Sequence, residues 1–108
     1  IFVPNDSVIQ SAMPVVTAVA REAKVPVYGS STVMVDEGAF ATIAISDTEI
    51  GAASADMATE ILEGKTPAEV PSVVVPATAT VVNSTTMEAI GVTIENTDGI
   101  TFVEDAAE

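Results

Sequence analysis

Apolar residues fall in two short runs, Ile1-Phe2-Val3 and Val25-Pro26-Val27-Tyr28. Between them Val8, Ala12, Val15, Val16, Val19 and Ala23 recur at three- and four-residue spacing. Short unbroken apolar runs read as buried strands, and the recurrence between them as an amphipathic helix over Ser7 to Ala23. Strand, helix and strand at this spacing predict a βαβ unit with a parallel strand pair. The runs end in Asn5-Asp6-Ser7 and Gly29-Ser30-Ser31, so both polar clusters fall at the carboxyl ends of neighbouring strands. In open α/β sheets that edge is where small ligands sit.

Within the helix, Gln10, Thr17, Arg21 and Glu22 fall on the side opposite the valines and are expected to face solvent. Asp6 or Ser7 can cap the first turn. Pro14 has no N–H to donate, so it should bend the helix or restart it at that point.

Further along, Ser30 to Asp36 fits a short helix or irregular turn. Ala39 to Ile45 is a near-continuous apolar run, the pattern of a strand covered on both faces. Ser46-Asp47-Thr48-Glu49 has capping-box spacing, and Ile50, Ala53, Met57, Ile61 and Leu62 carry a helix to Gly64, with Pro67 beyond its end. β-branched residues at Val73 to Val75 and Ala79 to Val82 predict strands. Asn83-Ser84 leads into a short helix closed by Gly91, and Thr97-Asp98-Gly99 turns into a last strand at Ile100 to Val103. Asp105 to Glu108 is expected to fray.

Charge narrows the choice of partner. Sixteen acidic residues against three basic ones give a formal charge of −13 over 108 residues, which repels phosphate backbones and makes nucleic acid an unfavourable partner. No apolar run approaches 18 residues, and the start on Ile within a strand reads as part of a longer protein. Without His or Cys, a serine or cysteine nucleophile has no histidine base and thiolate metal sites are excluded. Lys24 and Lys65 follow helix ends, where a solvated role is expected rather than a Ser-Lys dyad. The carboxylates Asp6, Asp36, Glu37 and Asp47 read as caps and turn residues, Glu95 to Glu104 lacks calcium-loop spacing, and no phosphate-binding glycine motif occurs. No catalytic residue, metal site or cofactor is therefore expected. Asn5, Asp6, Ser7, Ser30, Ser31 and Thr32 remain, a set of short hydrogen-bonding groups at two adjacent strand ends suited to a polar small molecule, with Asp6 able to pair with an ammonium group.

Several segments in order resemble one family: Ile1 to Ser7 before a helix, Val25 to Ser31, Glu37-Gly38-Ala39-Phe40-Ala41-Thr42, a helix closing Ile61-Leu62-Glu63-Gly64-Lys65, and Val81-Val82-Asn83 to Gly91-Val92-Thr93-Ile94. Over about residues 1 to 95 they resemble the C-terminal part of the type I periplasmic-binding-protein-like receptors of ABC transporters, in particular the tryptophan and tyrosine receptor type. The resemblance implies an α/β fold of parallel-sheet βαβ units, incomplete without its first lobe. Residues 1-46 would form the second-lobe βαβ and following strand, and 47-75 a helix and strand packing toward the first lobe. A return strand and short helix would follow at 76-95, with an acidic tail at 96-108. It also implies ligand contacts from Asn5 and Asp6, and from Ser31, at a position often acidic in sugar receptors; Ser46 lies at the crossover. Asn5 stands where Thr is usual, and Ser46-Asp47-Thr48 replaces a tyrosine-rich segment.

The function implied is non-enzymatic capture of a small polar solute, an amino acid or similar, for an ABC permease. The receptor would be extracytoplasmic, periplasmic or lipid-anchored at the cell surface. The alternatives are the effector-binding core of a LacI-like transcription regulator, a doubly wound enzyme and a domain that binds nothing.

Overall fold

The computed structural model describes residues 1 to 105. The chain divides into two compact units, one formed by Ile1–Ala44 together with the chain from Ala79 onward, the other by Ile45–Thr78.

In the first unit the two opening apolar runs lie side by side and point the same way. Phe2 pairs in parallel with Tyr28, and Tyr28 in parallel with Ala41. The Val3 N–H donates to the Tyr28 carbonyl at 2.9 Å and the Tyr28 N–H to the Ile1 carbonyl at 2.8 Å. These runs form isolated bridges rather than full strands; Pro4 and Pro26 each remove a donor that a longer ladder would need. The sheet continues with β1 (Ala41–Ala44), β2 (Ala79–Asn83) and β3 (Ile100–Val103), in that spatial order. β2 runs antiparallel to β1 and β3 parallel to β2, so the sheet is mixed rather than wholly parallel.

The predicted helix over Ser7 to Ala23 is broken where proline requires it. α1 (Ser7–Ser11) ends at Ala12, and α2 (Met13–Glu22) begins anew with Pro14 in its first turn, where the missing N–H costs nothing. Its buried face differs from the expected one. Val8, Val15 and Val19 are 77%, 70% and 63% exposed, while Met13, Thr17 and Ala20 are buried. Polar contacts made by this face accompany the rotation that hydrophobicity alone mispredicts: the Thr17 hydroxyl, bonded within the helix to the Met13 carbonyl at 2.8 Å, lies 3.3 Å from the Glu37 carbonyl, and Arg21 turns inward to the Thr86 hydroxyl.

α3 (Thr32–Asp36) and α2 pack on one face of the sheet, where Met13, Ala20, Met34 and Val35 meet Val3, Val27 and Val81. α5 (Ser84–Ile90) packs on the other, where Met87 and Ile90 meet Phe40 and Val82. Val81 and Val82 are successive residues of β2, so the pleat sends them to opposite faces. Helix handedness explains the division: the parallel steps onto Tyr28 and then β1 place their crossovers on one side, and β2 to β3, running the other way, places α5 opposite. β1 is accordingly not covered on both faces; Ile43 is 69% exposed.

The second unit holds α4 (Asp47–Leu62), whose first turn is capped by the Ser46 hydroxyl, 3.4 Å from the Glu49 N–H. Gly64, at φ +108°, follows its end. A short 3-10 turn covers Pro67–Glu69, and the Glu69 carboxylate receives the Thr66 N–H at 2.9 Å. Those bonds from the Thr66 backbone and hydroxyl hold the Glu69 carboxyl below its ordinary value. The strand expected at Val73 to Val75 does not form; Val74 is 90% exposed, and Pro71 and Pro76 bracket a stretch with no partner strand.

Candidate functional site

Register builds the site. Three residues on from the Phe2–Tyr28 pair come Asn5 and Ser31, and three on from Tyr28–Ala41 come Ser31 and Ala44. The polar clusters thus share the carboxyl-terminal edge of the parallel strands.

Each residue expected at this rim has a definite local role. Asp6 is exposed and caps α1, its Oδ1 accepting from the Val8 and Ile9 N–H groups at 2.9 and 3.1 Å. No described residue donates to its Oδ2. Asn5 is exposed beside it. Ser31 caps α3, its hydroxyl 3.4 Å from the Met34 N–H. Ser30 is half-buried, and its hydroxyl lies 3.7 Å from the Met34 sulfur. Ser46 belongs to the other unit, where it caps α4. Asn5, Asp6, Ser30 and Ser31 are therefore brought to one edge, and Ser46 is described apart from them.

A close backbone approach supports the rim. Gly29 donates to the Ala41 carbonyl at 3.0 Å and accepts from the Thr42 hydroxyl at 2.8 Å. A β-carbon at Gly29 would sit 2.8 Å from that of Met34, so only glycine lets α3 follow the strand so closely.

A cleft of about 550 Å³ opens on the sheet face beside Tyr28. Phe2, Tyr28, Phe40, Ile43, Ile94 and Ile100 form its apolar walls, with the Tyr28 and Phe40 rings edge to face at 5.7 Å between centroids. Of the expected contacts, Ser30 alone borders it. No charged side chain lines this cleft, so it offers a zwitterion nothing to offset desolvation, whereas the rim does. Sequence reasoning did not find the cleft, because its lining comes from six separated segments.

It also missed a polar network. Arg21 holds both Asp105 carboxylate oxygens at 2.6 Å and donates to the Thr86 hydroxyl. Asn83, fully buried, donates to the Val35 carbonyl and to Asp105, both at 2.9 Å, and accepts the Thr86 N–H at 2.8 Å. Hydrogen bonds from Arg21, then from Asn83, hold the Asp105 carboxyl below its ordinary value against the opposing effect of burial. Asp105 does not fray, since this network anchors it; residues 106 to 108 lie outside the described residues. The available signal was Arg21 itself, the sole arginine of the chain, set among valines. Among the described residues no group of three or more His, Cys, Asp or Glu could hold a metal ion.

Comparison with known proteins gives this geometry a context. A family model described as ABC transporter substrate binding protein matches residues 1–99. A tyrosine-binding protein of Clostridioides difficile (strain R20291) is 32% identical over 104 residues, covering 96% of this chain and 30% of that protein. Among solved structures, the ligand-free, open form of a Clostridium difficile substrate binding protein with adhesive properties matches with a TM-score of 0.81 and 30% identity. That match covers 97% of this chain and 36% of the other. An ABC domain from Streptococcus pneumonia in complex with L-Trp gives 0.78 and 30%, covering 94% and 36%. A conserved domain protein of Vibrio cholerae gives 0.77 and 32%, covering 94% and 35%. The chain spans about a third of the length of these relatives.

Proposed function

The chain belongs to the ABC transporter substrate-binding protein family, and from that footing we propose that it supplies part of the binding mouth of a solute receptor. The receptor captures an amino acid outside the cytoplasm and presents it to a membrane permease, without chemistry on the solute. Asp6 Oδ2 receives the ammonium group, and the Asn5 amide with the Ser30 and Ser31 hydroxyls hydrogen-bonds the rest of the polar end. Contacts that exist only when a second lobe meets this rim shift the population toward the closed form. The observation carrying the reading is the parallel pairing of Phe2 with Tyr28, which sets the amide and carboxylate beside the serine pair. Relatives named for tyrosine binding and solved with L-Trp favour an aromatic amino acid among solutes. They lend no support to a transcription regulator.

Titration calorimetry on the protein as its gene encodes it tests the reading, with L-Trp, L-Tyr, small polar amino acids and sugars as ligands. Asp6→Asn keeps an oxygen for the α1 cap but removes the charge, so affinity for the amino acid that binds should fall on the order of tenfold to a hundredfold. Wild-type affinity in both Asp6→Asn and Asn5→Ala would remove the rim from the binding site.

A further inference from the structure

We propose that Thr86 and Asn83 are positioning residues of the solute rim, acting on Ser30 and Ser31 through α3 from the opposite edge of the sheet. The proposal rests on the rim reading above, and it concerns how the serine pair is held rather than what it binds. α3 is the crossover from Tyr28 to β1, so it runs back across the sheet, with Ser31 at its start and Gly38 just past its end. Its five residues rise only about 7.5 Å, too short a helix to hold itself in water. Met34 and Val35, both fully buried, seat its inner face on the core. Apolar packing is non-directional, so the register of the helix depends on the polar bonds at its two ends.

At the rim end, the Ser31 hydroxyl caps the first turn through the Met34 N–H and the Ser30 hydroxyl reaches the Met34 sulfur. At the far end two buried side chains fasten the exit. Asn83 Nδ2 donates to the Val35 carbonyl at 2.9 Å, and the Thr86 hydroxyl donates to the Gly38 carbonyl at 2.8 Å. Their surroundings commit both groups to these bonds. A guanidinium can only donate, and that of Arg21 lies against the Thr86 oxygen, so the one hydroxyl hydrogen is left for Gly38. The Asn83 oxygen accepts the Thr86 N–H, which aims its two amide hydrogens at Val35 and Asp105. Both tethers therefore meet the last turn of one short helix. Loosening them lets α3 shift along the strand and carries the Ser31 cap with it, and a displacement of about 1 Å in a supporting element is enough to loosen a binding site.

The test takes two readings on the gene-encoded protein: calorimetric affinity for L-Trp and L-Tyr, and solute-free hydrogen exchange at the Met34 N–H, which the Ser31 cap shields. Thr86→Val keeps the shape and removes the hydroxyl. It should weaken affinity for the amino acid that binds on the order of tenfold and speed Met34 exchange by a similar factor. Thr86→Ser, which keeps the hydroxyl, should bring both readings back toward wild type. Asp105→Ala controls for lost stability alone, since among the described residues Asp105 bonds to Arg21, Asn83 and Thr85 and to none in α3. Both of its readings should stay within about twofold of wild type. A wild-type Met34 rate in Thr86→Val overturns the proposal, whatever the solute does. Faster exchange with unchanged affinity overturns it too, as does Asp105→Ala matching Thr86→Val on both readings. Should Thr86→Val fail to fold, Asn83→Ser is read in the same way, because it still caps α5 but has no amide for Val35. Failure of the rim reading looks different: Asp6→Asn then binds as the wild type does while Thr86→Val still speeds Met34 exchange, and the proposal falls with that reading.

Discussion

Arg21 on α2 grips both carboxylate oxygens of Asp105 at 2.6 Å across 84 residues of sequence. The bond joins the first helical layer to the segment just past β3, and Asn83 and Thr86 complete it from β2 and α5. Asp105→Ala should therefore lower stability by about 1–2 kcal/mol, the range for a bidentate charged pair discounted for partial exposure. Arg21→Lys should recover little, because an ammonium cannot span both oxygens and the Thr86 hydroxyl. Urea unfolding of the two variants measures both, and a wild-type midpoint for Arg21→Lys would show that charge alone suffices.

The same pair sets an acid response. Asp105 titrates below its ordinary value in the fold, so its contribution is complete above the ordinary Asp range, about 3.9. It is then lost as pH falls through the lower, folded-state value. In a urea-midpoint series from about pH 6 to pH 3, Asp105→Asn should show a shallower decline than the wild type. Parallel declines would locate the acid sensitivity in other carboxylates.

Asn83 has no exposed surface and serves three partners at once. Asn83→Leu leaves the Thr86 N–H unpaired inside the protein and takes a donor from both the Val35 carbonyl, which keeps the Gly38 N–H, and Asp105, and should cost about 3 kcal/mol. Thermal unfolding would register that loss, and a change within a few tenths of a kcal/mol would mean that water replaces the amide.

Gly29→Ala brings a β-carbon to 2.8 Å from that of Met34, which is itself buried. Relieving the overlap must move α3 away from the strand, at about 1–3 kcal/mol. Ser30 and Ser31 move with it, so solute affinity should drop together with stability; calorimetry and urea unfolding on one preparation read both.

Pro14→Ala discriminates a restarted helix from a kinked one. Proline in the first turn of α2 leaves no bond broken, so the substitution should change stability by less than about 0.5 kcal/mol. A gain approaching the roughly 3 kcal/mol of a mid-helix proline would mean that α1 and α2 are one strained helix.

Much of this protein follows from local rules. Asp6, Ser31, Ser46 and Asn83 all precede helices and all cap them, because a short side-chain oxygen satisfies N–H groups that no carbonyl reaches. Gly91 ends α5 in the left-handed region, and Pro14 restarts α2 for want of an N–H. The shared edge of Asn5, Asp6, Ser30 and Ser31 was also legible, since a helix between two short apolar runs forces their parallel pairing.

Other features depended on partners distant in the chain. Thr17 and Arg21 read as solvent-facing until Asp105 and Thr86 arrive to receive the arginine, and with that pairing Val15 and Val19 face outward. Val73 to Val75 has strand-forming residues but no strand beside it, whereas Ala79 to Asn83 has two. Caps and breaks are settled within a few residues of backbone; which face is buried, and whether an extended run finds a ladder, depends on what the rest of the chain brings alongside.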